Sequence, residues 1–191
     1  MLKYLILCCN VLATNTAGKD SQLDDQTFLI YNKAHAYSRL KVMKENKDNM
    51  GLYTTETNKV GEGECWYIRP EPNSPGYHYI ESCVFDGYRL AHWDWYTFLK
   101  GNVRSFGVRN GNRDDTMLFK ITAMGKFYRI SSKKYPEYNL AKVGTYDSDL
   151  EMSDGPLRDN QLWRFDARFK TSIQKDVLWH VDNRAGSNDF S

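Results

Sequence analysis

Three stretches decide the fold: FLIYNKAHAYSRLKV (28–42), YHYIESCVFDGYRLAHW (77–93) and KFYRISSKKYPEYNLAKV (126–143). Ile30, Ile80 and Ile130 stand fifty residues apart, and so do Leu40, Leu90 and Leu140. Each stretch has an aromatic or apolar start, a polar middle and an exit centred on the leucine. Tyr88-Arg-Leu-Ala91 and Tyr138-Asn-Leu-Ala141 match closely, and Arg39-Leu-Lys-Val42 is the looser first copy. Self-similarity at a fixed period marks one supersecondary unit used repeatedly.

Outward from these stretches a second element recurs, as Trp66-Tyr-Ile68, Phe119-Lys-Ile121 and Trp163-Arg-Phe165. Large apolar and polar residues alternate over short runs, the period-two pattern of strands. Gly, Asn, Asp and Pro lie between the runs, as in all-β sandwiches and barrels. Helical periodicity is weak throughout. The pattern predicts three segments, 28–76, 77–124 and 125–168, each with an opening strand, a partner strand, a variable middle and a closing strand. One such unit cannot bury its apolar face alone. Three around a pseudo-threefold axis close a barrel and remove exposed edges.

Residues 1–18, MLKYLILCCNVLATNTAG, carry Lys3, an apolar run from Tyr4 to Cys9 resuming at 11–13, and small residues at Ala13, Thr16, Ala17 and Gly18. That is the layout of a secretory signal peptide, with cleavage after Ala13, Ala17 or Gly18 all compatible. The apolar run is shorter than the ~20 residues needed to span a bilayer. The expected organisation is a leader at 1–18, one domain at 19–168 and a C-terminal extension at 169–191. Within the extension, Val177-Leu-Trp-His-Val181 reads as one more strand. The expected product is exported and extracellular, without stable membrane insertion.

The chain has 26 basic and 24 acidic residues, a net charge of +2. So small an imbalance gives no electrostatic argument for nucleic acid or an anionic membrane. Of the four cysteines, Cys8 and Cys9 depart with the leader, leaving Cys65 and Cys83. An even pair in an exported chain is most simply a disulfide. Pro70-Glu-Pro-Asn-Ser-Pro-Gly76 reads as a turn between two strands. Cys65 and Cys83 lie nine positions either side of Ser74, so a hairpin folded there sets them opposite each other. No Asn-x-Ser/Thr acceptor occurs in the chain.

The repeat is most specific at Asp159-Asn-Gln-Leu-Trp-Arg-Phe165. This resembles the Gln-x-Trp element of ricin B-type β-trefoil lectins, and the resemblance extends over residues 28–168. It implies a β-trefoil and a lectin-like function, although trefoils also include protease inhibitors, cytokines and actin-bundling proteins. The chain departs from the pattern at Glu64-Cys-Trp66 and at Thr116-Met-Leu-Phe119. In the family an Asp commonly follows the first-hairpin Leu and accepts bonds from sugar hydroxyls. Lys41, Ala91 and Ala141 stand in those places. A sugar site is therefore expected away from the family's usual positions. Trp163 is expected in the core, as in the family.

The best candidate for such a site is His92-Trp-Asp-Trp-Tyr-Thr-Phe98. Trp93 and Trp95 are two apart and share a face on a strand, and Asp94 takes the other. Aromatic rings stack on the apolar side of a sugar, and a carboxylate can bind its hydroxyls. The competing reading puts both tryptophans in the core. Asp86-Gly87 reads as a turn. Asp147, Asp149 and Glu151 lack the glycine and the full oxygen set of a calcium loop. None of His35, His78, His92 and His180 has zinc-ligand spacing. No nucleophile elbow, phosphate loop or dinucleotide fingerprint occurs. Arg104, Arg109, Arg113, Lys126, Arg129, Lys133 and Lys134 bias the middle of the chain toward positive charge, with Asp114 and Asp115 between them. That bias reads either as solvated strand faces and loops or as a patch for an acidic, for example sulfated, glycan. The function expected is a non-catalytic carbohydrate-binding protein needing no cofactor or metal, with Trp93, Asp94 and Trp95 as ligand-binding residues. The alternative is a secreted effector that binds an extracellular protein: a protease inhibitor, toxin component or immune ligand. It would present the 70–76 loop. A purely structural extracellular component is the third reading.

Overall fold

The computed structural model describes residue 23 and residues 26–44, 50–56, 59–97, 101–144 and 150–167. The predicted leader, the strand predicted at 177–181, and Asp147 and Asp149 lie outside the described residues. Among the described residues twelve strands form, four to each predicted segment. The first segment supplies β1 (Gln26–Asn32), β2 (Arg39–Lys44), β3 (Met50–Thr55) and β4 (Trp66–Pro70). The second supplies β5 (Tyr77–Ser82), β6 (Arg89–Thr97), β7 (Gly101–Arg109) and β8 (Phe119–Met124). The third supplies β9 (Phe127–Ser132), β10 (Asn139–Lys142), β11 (Leu150–Ser153) and β12 (Leu162–Asp166).

Six strands close a ring in the order β1, β4, β5, β8, β9, β12 and back to β1, all antiparallel. A closed ring leaves no edge for another chain to extend. The hairpins β2–β3, β6–β7 and β10–β11 branch from it. Their branch points are Tyr31↔Arg39, Glu81↔Arg89 and Ser131↔Asn139, which step by fifty residues. This is a β-trefoil, and the sequence period is its threefold axis.

The period follows from what each repeat buries. Ile30, Ile80 and Ile130 and Leu40, Leu90 and Leu140 are wholly inaccessible, as are Trp66, Phe119 and Trp163. All nine belong to one core. Burying an indole requires a partner for its N–H. Trp66 Nε1 donates to the Leu40 carbonyl and Trp163 Nε1 to the Leu140 carbonyl, both at 2.9 Å. Phe119 has no such donor. Residues 42, 92 and 142 show how far the repeats have diverged: buried Val42, His92 and Lys142 occupy them.

The turn after each ring-opening strand is also threefold. The side-chain oxygen of Asn32 accepts from the N–H groups of Ala34 and His35, and Ser82 does so from Val84 and Phe85. Ser132 accepts from Tyr135. Such local bonds hold a turn that neither helix nor ladder could satisfy. The turn closes when Asn32, Ser82 and Ser132 donate their N–H to the carbonyls of Ser38, Tyr88 and Tyr138.

Repeats meet at three seams, where β4 meets β5, β8 meets β9, and β12 meets β1. At each, one backbone bond ties the turn to the residue before the large core aromatic: Cys83 to Cys65, Lys133 to Leu118, and Lys33 to Leu162. Two seams add a surface ion pair, Lys133–Asp115 at 2.9 Å and Lys33–Asp159 at 2.6 Å. The β4–β5 seam instead carries the Cys65–Cys83 disulfide, with Cα atoms 5.3 Å apart.

Candidate binding surface of the second repeat

The second repeat has the longest hairpin. β6 and β7 have nine residues each, against six in β2 and β3 and four in β10 and β11. Trp93, Asp94 and Trp95 lie within this extension, paired with Ser105, Arg104 and Val103. The side chains of 93–97 and 101–105, and residues 98–100 altogether, lie outside the described residues. Below them, His92 is buried edge-on against Tyr135, with ring centroids 4.7 Å apart. Ala91 is buried with Tyr79, Met117 and Leu118 in a small apolar cluster separate from the main core.

The positions where the ricin-type pattern holds a sugar-binding Asp offer no carboxylate. Ala91 and Ala141 are fully buried and Lys41 is half-buried on β2. Gln161, the most family-like residue, is also structural. Its amide donates to Ser153 Oγ at 2.6 Å, and its carbonyl oxygen accepts from the Arg158 N–H at 3.3 Å. In the first repeat Glu64 accepts from the Gly61 N–H in the same way. Its second oxygen takes Arg39 Nε at 2.5 Å, forming a buried ion pair.

The densest polar constellation lies on the outer face of the β4–β5 hairpin. Pairing sets Tyr67 opposite Glu81 and Arg69 opposite Tyr79. Glu81 Oε1 accepts from Arg89 Nε at 2.6 Å and from Arg113 Nη2 at 3.2 Å, and Oε2 from Arg69 Nε at 3.1 Å. Arg69 stacks over Tyr67 and Arg113 over Tyr79, each 4.6 Å from the ring centre. Arg89 lies 5.8 Å from the Tyr79 ring.

Two loops hold Arg89 and Arg113. Arg89 Nη1 donates to the carbonyls of Gly87 and Gly111. Gly87 has φ 76°, in the left-handed region, so this Asp86-Gly87 turn favours glycine. Beyond Arg113, Asp114 accepts from the Thr116 N–H at 2.8 Å and opens a 3-10 turn at Asp115–Met117. Burial pushes the Asp114 carboxyl up, but bonds from Thr116 and Arg109 together hold it below its ordinary value. Burial, followed by a hydrogen bond to Glu71, pushes the Tyr79 hydroxyl up to about 12. Glu71 is held below its ordinary value, first by the Asn73 N–H and then by the Tyr79 hydroxyl.

The basic residues singled out in the sequence are engaged individually. Arg109 pairs with Asp114, Arg113 with Glu81, and Lys133 with Asp115 and Ser74. Lys126 stacks on Phe127 and Lys134 on Tyr135. Arg129 is half-buried on β9, and the Arg104 side chain lies outside the described residues. Sequence reasoning missed Arg69, Arg89 and Glu81 as partners of Arg113. The means to find part of this was present: folding the hairpin about Ser74 to pair the cysteines also sets Tyr67 against Glu81 and Arg69 against Tyr79. Among the described residues no group of three or more His, Cys, Asp or Glu could hold a metal ion. Nor is any helix there long and apolar enough to cross a membrane.

Known structures agree with the trefoil. ThreeFoil, a designed threefold-symmetric protein, superposes with a TM-score of 0.59 at 14% identity, covering 73% of this chain and 96% of its own. The Rhizoctonia solani agglutinin does so with 0.61 at 13%, covering 76% and 97%. SeviL, solved with asialo-GM1 saccharide bound, gives 0.55 at 16%, covering 76% and 99%. No family model matches the chain, and no curated protein matches it either. The protein is thus similar in fold to β-trefoil proteins that include lectins.

Proposed function

We propose that the protein is an exported, non-catalytic carbohydrate-binding protein that contacts its ligand through the β6–β7 hairpin. The observation that carries this reading is the departure from threefold symmetry. A trefoil needs three cap hairpins, and among the described residues the second alone reaches nine-residue strands, with Trp93, Asp94 and Trp95 in the added length. The fold likeness to SeviL and to the agglutinin supports the same ligand class. The rings of Trp93 and Trp95, on one face of β6, would stack on a sugar, and Asp94, on the other face, would accept from hydroxyls of a saccharide that extends past the strand. Shallow stacking sites bind weakly alone, so presentation in several copies would raise avidity.

The test is a glycan array with the oxidised, leader-free protein, followed by Trp95→Ala. Binding to a coherent sugar class that Trp95→Ala removes, with an unchanged melting curve, is the expected result. Binding unchanged by that substitution would move the site elsewhere. A blank array from folded protein would favour the protein-binding effector, with the 70–76 loop as its presenting element.

A further inference from the structure

We propose that Arg69, Arg89 and Arg113, seated on Tyr67 and Tyr79, form a second binding site that takes the sulfate group of a sulfated saccharide. The inference rests on the carbohydrate reading for the carrier of the sulfate, but not on the β6–β7 hairpin.

The first argument is charge. Three guanidinium groups converge on Glu81, and the Glu71 carboxylate also interacts with the group, through Tyr79 and Arg113. One carboxylate, that of Glu81, thus receives three guanidinium groups. The neighbouring Arg109 is by contrast matched one-to-one by Asp114.

The second is order. An exposed arginine ordinarily loses rotamer freedom when it binds an anion. Here Glu81 is only 14% exposed and anchors all three forks from below. Arg69 and Arg113 remain 40% and 49% exposed while their planes rest on tyrosine rings. Planar forks already fixed in orientation suit the oxygens of a sulfate as they suit carboxylate and phosphate.

The third is that the fold does not need this cluster. At the β8–β9 seam Ser131 and Asn139 stand where Glu81 and Arg89 do, joined by a neutral 2.9 Å hydrogen bond. At the β12–β1 seam the same positions hold Tyr31 and Arg39. Leu157 and Val60, spaced from the core aromatics as Arg113 is, are exposed and apolar. The β8–β9 seam closes with none of the three arginines and the β12–β1 seam with Arg39 alone, which is turned to Glu64, so the full cluster is not a requirement of the trefoil.

The test uses the oxidised leader-free chain in titration calorimetry. Its probes are a sulfated octasaccharide, the same octasaccharide desulfated, and inorganic sulfate. The variants are Arg113→Gln and the double Arg69→Gln/Arg113→Gln, with thermal melting to verify the fold. The expected result is binding of the sulfated octasaccharide that weakens as salt rises. Losing one charged bond should weaken it about tenfold in Arg113→Gln, and the double variant further. Equal binding of the sulfated and desulfated forms, or of parent and double variant, would overturn the proposal. Inorganic sulfate binding as tightly as the octasaccharide would overturn the saccharide as carrier. A blank for neutral glycans alongside arginine-dependent binding of the sulfated form would sink the hairpin site and leave this one standing.

Discussion

The β4–β5 seam and its two symmetry mates solve one problem differently. The β8–β9 and β12–β1 seams pin the turn to the neighbouring repeat with a Lys–Asp pair at the surface. Such exposed pairs contribute about 0–1 kcal/mol. The β4–β5 seam uses the Cys65–Cys83 disulfide, which closes a loop over a separation of 18 residues. A cross-link over a loop of that size contributes about 3 kcal/mol, chiefly by restricting the unfolded chain. The seam held covalently is also the one whose outer face carries three arginines on one glutamate, and the repeat it opens has the longest hairpin. Symmetry therefore marks what the fold requires, and its breaks mark where the repeats have diverged.

The largest effect is expected at residues 39 and 89, the same branch-point position in two repeats. Arg39 and Glu64 are a buried pair, 6% and 1% exposed. Arg39→Ala would leave the buried Glu64 carboxyl without its guanidinium, at a cost of about 3–5 kcal/mol. Arg89→Ala leaves Glu81 with Arg69 and Arg113 and should cost about 1 kcal/mol. Urea denaturation of the oxidised variants measures both, and equal losses would break the comparison.

Next comes the staple itself. Converting Cys65 and Cys83 to Ser together should cost about 3 kcal/mol. Lys33→Ala and Lys133→Ala should each cost under about 1 kcal/mol, in line with exposed ion pairs. If Lys133→Ala proved as costly as losing the disulfide, the three seams would be energetically alike and the contrast would fail.

How much of this could be read beforehand depends on spacing. Ile30, Ile80 and Ile130 identified the repeat because a ring strand and its hairpin return to one register after each full unit. The Cys65–Cys83 pair followed from the turn between them. Glu64 was visible as a departure from Gln-x-Trp, but its partner was not. Arg39 is 25 residues away and meets it only once β2 lies over the chain leading into β4. Arg113 lies 32 residues from Glu81 and reaches it from a loop belonging to the other end of the repeat. Local period gives strands and the contacts within a hairpin. Contacts between a loop and a distant strand depend on barrel closure, which no window along the chain contains.

A smaller effect separates the indole-bearing repeats from the second. Trp66→Phe and Trp163→Phe would each leave a buried Leu carbonyl without its indole partner and create a small void, costing about 2 kcal/mol. Guanidinium denaturation checks this. Phe119 fills the equivalent place and is as fully buried, with no N–H to place. Phe119→Leu should therefore cost only its lost volume, about 1 kcal/mol.

The smallest effect is confined to the pH extremes and belongs to Tyr79. Its folded pKa is raised to about 12, by burial and then by its bond to Glu71, against about 10 in an unfolded chain. A raised value means that the folded state binds this proton more tightly. The stability linked to it is whole below about pH 10 and is lost as pH climbs toward about 12. Glu71 carries the opposite sign. Its folded value is lowered, so its contribution is present above its ordinary carboxylate range and lost as pH falls through it. Tyr79→Phe removes the titrating hydroxyl and one of the bonds that hold Glu71 down. Relative to its own melting temperature at pH 7, the variant should fall less than the parent between about pH 10 and about pH 12. It should also fall slightly less on acidification. The two proteins differ at residue 79 alone, so the difference between the two curves isolates Tyr79. Superimposable curves would mean that its hydroxyl neither titrates late nor supports Glu71, and that the second repeat's outer cluster is held by its arginines alone.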